Sequence, residues 1–129
     1  MPPQVPPSSR MSISERFELI SGKRFLGAPA HEVAPYLEDS NPDVVKLAID
    51  TLAKMGDAGG SFEAKVASKL GAPQAVVRTA AILYFAEFSL EAVLHGKQLC
   101  AMFADNDRSV RRAADKLSIE SLPLVSEGA

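Results

Sequence analysis

Three stretches of this chain share one pattern: Val45-Lys46-Leu47-Ala48-Ile49 with Leu52, Val77-Arg78-Thr79-Ala80-Ala81 with Tyr84, and Val110-Arg111-Arg112-Ala113-Ala114 with Leu117. Aligned on the valine, they fall 32 and then 33 residues apart. Each reads Val, a base, any residue, Ala, apolar or Ala, then a large apolar residue seven after the valine. A period in this range marks stacked two-helix units, each too thin to bury its own apolar face. The pattern predicts an all-α chain, a short right-handed solenoid of three helical hairpins.

The rest of the sequence fits that frame. Residues 1–12 form a Pro-rich arm, and Met1 to Arg10 alone hold four of the nine prolines. Such a stretch is expected to be extended and disordered. Ser12-Ile13-Ser14-Glu15 then reads as a capping box, opening a helix over 13–21 that stops at Gly22 and caps the stack. The repeat domain spans 13–118, and 119–129 is a tail. Ile119, Leu122, Leu124 and Val125 in that tail, broken by Pro123, either fold back over the stack or wait for a partner.

Within the first unit a leading helix is expected from Pro29 to Glu38, kinked or shortened by Pro35. Asn41 is the N-cap of the second helix, with Pro42 at its first position, and that helix runs 42–55 to Gly56. Asp57-Ala58-Gly59-Gly60 reads as the loop between units. The next units open alike, Ser61-Phe62-Glu63-Ala64 and Ser89-Leu90-Glu91-Ala92. Their helices are predicted at 62–70 and 74–87, then 90–103 (interrupted by Gly96) and 108–118 with Asp107 as N-cap. Val76 to Phe88 is apolar nearly all round, which predicts a helix covered on every side in the middle of the stack.

These residues resemble HEAT-type, armadillo-like repeats, especially the short units of the phycobilisome-lyase-like class. Leu37 to Gly56 carries most of the resemblance, and Asp105 to Ala114 adds to it; coverage is roughly residues 29–118. The family often sets an Asp six residues before an Arg, tying neighbouring units together. Here Asp105 and Arg111 keep that interval, Asp39 stands seven before Lys46, and Ala72 replaces the acid in the second unit. The resemblance therefore implies a partial ladder of ion pairs and cohesion mostly by apolar packing. Fold alone does not name a function, because this architecture hosts unrelated roles.

Candidate chemistry is sparse. Some proteins of this architecture bind di-iron through several His-Glu pairs, which draws attention to His31-Glu32. An iron site needs ligands converging from several helices, and the chain has two histidines, His31 and His95. His31 therefore reads as an exposed first-turn residue. The lone cysteine, Cys100, lies with Leu99 and Phe103 on an apolar stripe and reads as buried packing; it forbids an intrachain disulfide. No glycine-rich phosphate loop precedes a Lys-Ser or Lys-Thr. No cofactor and no metal are expected.

Lys46, Arg78, Arg111 and Arg112 form the candidate interaction stripe. Such bases could meet phosphates, but Asp43, Asp50, Glu87, Asp107 and Asp115 lie among them. The formal charge of −2 supplies no general pull toward polyanions either. Nucleic acid is not the expected partner, and contact with the neighbouring turn or solvent is the preferred role. No apolar run approaches the ~18 residues a membrane helix needs. Met1 to Arg10 lacks the apolar core of a secretory signal, although an acid-free organellar remnant stays open.

The expectation is thus a soluble intracellular protein, cytoplasmic or inside an organelle, with no intrinsic homo-oligomer. It is expected to be a non-catalytic adaptor or accessory subunit that docks on a larger protein assembly. A basic-stripe nucleic-acid binder and a lyase-like or metal-dependent fragment are the alternatives.

Overall fold

The computed structural model describes residues 12–25 and 29–117, and the described residues are helical without a strand. The arm up to residue 11 and the tail from residue 118 lie outside them. Helix α1 spans Ile13–Phe25, and Ser12 and Glu15 exchange the two bonds of a capping box at 3.0 and 3.2 Å. The helix continues past Gly22 instead of stopping there. Glycine in a helix interior costs only about 1 kcal/mol, less than the hydrogen bonds of another turn return.

Residues 29–38 form two short 3₁₀ pieces, Ala30–Glu32 and Ala34–Glu38, in place of one α-helix. Pro35 brings no N–H, and the chain closes tighter three-residue turns such as Tyr36 N–H to Val33 C=O. Helix α2, Pro42–Ala53, starts as its sequence demands. Asn41 Oδ1 accepts from the N–H of Asp43 at 2.9 Å and of Val44 at 3.3 Å. Gly56 ends this region at φ +66°, a conformation side chains resist.

Asp57–Gly60, expected as a loop, is a packed helical turn, α3. A Cβ on Gly59 would lie 1.8 Å from the Leu52 carbonyl oxygen. The missing side chain is what lets this turn press onto α2. Tyr84, wholly buried, donates its hydroxyl to the Gly59 carbonyl at 2.6 Å and locks the turn from the other side.

Helix α4 (Glu63–Ser68) runs into a 3₁₀ turn at Lys69–Gly71, and α5 spans Ala75–Glu87. The predicted 90–103 helix is split into α6 (Ser89–Val93) and α7 (Gly96–Ala101), followed by a 3₁₀ turn at Met102–Ala104. The split falls at Leu94 and His95, immediately before Gly96. Helix α8, Arg108–Ala114, is shorter than expected and is capped by Asp107, which accepts from Ser109 N–H at 2.8 Å.

The packing order is simple. Helix α1 lies on α2, α2 on α5, and α5 on α8. Ile49, Leu52, Ile82, Phe85 and Leu99 are buried in one continuous core with Tyr36 and Leu37. Each such side chain contributes about 1.5–3 kcal/mol relative to exposure. Tyr84 meets Phe85 edge-on at 5.1 Å and Phe88 at 4.8 Å. Helix α5 is not covered on every side, however: Val76 is 41% exposed and Leu83 half-buried.

The turns before α2, α5 and α8 set the register. Asp39, Ala72 and Asp105, 33 residues apart, have φ/ψ of −64/148°, −64/146° and −60/148°. Asn41, Gln74 and Asp107 follow at the same spacing with φ between −91 and −98°. By these turns Val44, not Val45, corresponds to Val77 and Val110, and all three are buried. Arg78 and Arg111 then correspond to Val45, whereas Lys46 corresponds to Thr79 and Arg112. The valine alignment was one residue out in the first segment, because Val44 and Val45 are adjacent and identical.

Candidate functional site

The candidate basic stripe does not form one surface. Arg78 turns inward, its side chain only 14% exposed. Nε and Nη2 donate to Asp105 Oδ2 and Oδ1 at 3.0 and 3.1 Å, and Nη1 donates to the carbonyls of Ala72 and Pro73 at 2.8 and 3.1 Å. Arg111 repeats half of this, donating from Nη1 to the Asp105 carbonyl, six residues back, at 2.7 Å. Lys46 is held by Asp50 at 2.8 Å one helical turn on, and Arg112 is exposed. The bases thus serve different contacts, and the guanidinium at the centre of the stripe is engaged by protein oxygens.

Asp105 gathers these contacts. Its desolvation works against charge, but the Asp107 N–H bond, the Arg78 fork and the Arg111 charge outweigh it and hold the carboxyl below its usual range. Asp39 stands in the corresponding turn, accepts from Asn41 N–H at 2.8 Å, and lies 3.3 Å from Arg16 Nε of α1. Between these two acid–base contacts comes the junction of α2 with α5. There Val45 and Ala72 take the places of base and acid, and a cavity of about 250 Å³ opens among Asp39, Ser40, Pro42, Val45, Lys69, Ala72 and Val77.

His31 is exposed, as expected for a first-turn residue. His95 instead bridges two segments: Nε2 meets the Glu63 carboxylate, Nδ1 faces Gln98 Oε1 at 3.2 Å, and the ring lies 5.4 Å from that of Phe85. Cys100 is half-buried against the core. Among the described residues, no three His, Cys, Asp or Glu side chains gather in a way that could hold a metal ion.

A groove of about 720 Å³ crosses the three main helices on another face. Asp50, Leu83 and Lys116 line it at intervals of 33 residues, one from each of the segments that follow the matching turns. Ala53 pairs with Ala86 and Lys54 with Glu87 in the same register, and Leu47 and the edge of Tyr84 complete the lining. The floor is therefore apolar, from Leu47, Ala53, Leu83 and Ala86, and the margins carry both signs of charge. Burial and then the charges of Glu91 and Glu63 push the Tyr84 phenol up, so it stays a neutral donor to Gly59 beneath the groove. A separate apolar area lies on α6, where Leu90 and Leu94 are 82% and 70% exposed.

Sequence reading missed this groove. With the first segment one residue out, Asp50, Leu83 and Lys116 fell in different columns and no common face emerged. The signal that could have found them is the Asp-x-Asn or Asp-x-Asp turn (Asp39/Asn41, Asp105/Asp107), which fixes the register independently of the valines.

Compared with protein-family models, curated proteins and solved structures, the chain matches none of them. Among the described residues, no helix is long and apolar enough to cross a membrane.

Proposed function

We propose that this chain is a short right-handed α-solenoid of three HEAT-like helical hairpins with α1 as its N-terminal cap. It acts as a non-catalytic adaptor or accessory subunit of a larger protein assembly. The matching turn angles at 33-residue intervals and the serial packing of α1, α2, α5 and α8 support the repeat reading. One observation carries the docking reading: a groove with an apolar floor runs across corresponding positions of successive helices. Concave, mostly apolar clefts with a few placed charges are where proteins receive ligands and partner segments. With Arg78 engaged by Asp105, Ala72 and Pro73, the groove is a better candidate surface than the basic stripe.

The test is quantitative co-purification at native expression of the unaltered chain and of Leu83→Glu, with helicity of both checked by circular dichroism. The reading expects a stoichiometric protein complex with the unaltered chain and its loss with the variant. Equal recovery from both, or a chain that stays solitary throughout, would overturn it.

A further inference from the structure

The groove has an occupant within reach. Lys116 lines its third position, and Leu117, the last described residue, is buried beside it. The next residues, Ser118-Ile119-Glu120-Ser121-Leu122-Pro123-Leu124-Val125, place four large apolar side chains within seven positions. Pro123 lacks an N–H and disfavours helix at Leu122, so the segment is suited to lie extended. Eight extended residues reach about 26 Å, whereas α2, at 12 residues, is about 18 Å long. The segment can therefore traverse the groove from its own point of departure.

We infer that residues 118–125 lie in this groove as an intramolecular strap, with Ile119, Leu122, Leu124 and Val125 against Leu47, Ala53, Leu83 and Ala86. The inference rests on the docking reading of the same surface. Four matched apolar contacts remove side chains from water on both sides, the term that favours association most strongly. Charge adds direction. Glu120 departs next to Lys116 and Lys54 stands across the groove, whereas Asp50 is already paired with Lys46. Glu87 is the one groove charge the strap must avoid. Because the strap is tethered, it acts at a local concentration in the millimolar range. A partner must displace it, which makes the module self-limiting.

The test uses the full chain with Ile119→Asp, Leu122→Asp, Leu124→Asp and Val125→Asp combined, all four outside the folded core. In the unaltered chain, nuclear Overhauser effects are expected from the Ile119 and Leu122 methyls to those of Leu47 and Leu83. They should be unchanged on tenfold dilution and lost in the variant, with amide shifts at 47, 53, 83, 86 and 116 moving together. Absence of these effects, or shifts confined to 117–129, would overturn the strap. Effects that weaken on dilution would overturn it too, since they would place a second copy's tail in the groove.

Co-purification separates this result from the docking reading. A strap predicts at least twofold greater partner recovery for the tail variant. If the tail effects are absent while Leu83→Glu still loses the partner, the docking reading stands and the strap falls. If the tail effects hold and neither chain recovers a partner, the strap stands and the docking reading falls.

Discussion

Arg78 and Asp105, 27 residues apart in the chain, close a two-pronged ion pair in which Nε meets Oδ2 at 3.0 Å and Nη2 meets Oδ1 at 3.1 Å. Both side chains are largely shielded, 14% and 10% exposed. The third donor of the same guanidinium satisfies two turn carbonyls. One side chain thus fastens α5 to the turn before it and to the turn that starts α8.

Removing that fastening should be costly. Arg78→Met strands a shielded carboxylate and two carbonyl oxygens, a loss of about 3 kcal/mol. Arg78→Lys restores the charge but not the fork and should recover less than half of it. Urea unfolding followed by circular dichroism measures both, and a variant as stable as the parent would remove the pair's structural role.

Acid should act through Asp105. Its folded-state affinity for protons is depressed, so its stabilisation is complete above the ordinary carboxylate range, near pH 4. It is lost as pH falls from there through the lowered folded-state value. Asp105→Asn is expected to be less stable at pH 7 and to show a shallower decline between about pH 4 and 2. Parallel acid limbs for the two proteins would contradict this.

Close approach at Gly59 leaves no room for a methyl group. Gly59→Ala must push α3 off the Leu52 carbonyl and should lower stability by about 2–3 kcal/mol. Tyr84→Phe leaves the shape intact and strands the Gly59 carbonyl, costing about 1–2 kcal/mol. Thermal unfolding of the two variants should rank them in that order.

At the junction of α2 with α5, Val45 and Ala72 stand where Arg78 and Asp105 stand one junction later. Val45→Arg with Ala72→Asp would place a matching pair beside the 250 Å³ cavity. Each single change should destabilise, and a double-mutant cycle should show favourable coupling of about 1 kcal/mol or more. Additive effects would mean that the two turns are not equivalent in geometry.

The helices that carry the core were legible in the sequence because their signals are local. Asn41-Pro42 and Asp107 announced their caps, and the unbroken apolar run from Val76 to Phe88 announced a central helix. The first halves of the hairpins were less legible. Pro35 and Gly96 warned of interruptions, but whether a turn closes as 3₁₀ or α depends on what packs over it. The Asp57–Gly60 turn was hidden because its stability comes from Leu52 and Tyr84, not from its own residues. The groove was hidden by a single-residue slip between Val44 and Val45. On a helix that slip swings a column by about 100° and exchanges buried positions for open ones.

Asp50, Leu83 and Lys116 share one place in three successive segments, yet one is an acid, one a hydrocarbon and one a base. None of the three is fully enclosed, so the scaffold sets no common demand on their chemistry. Recognition in this architecture can therefore be rewritten rung by rung, by exchanging side chains that the interior never consults.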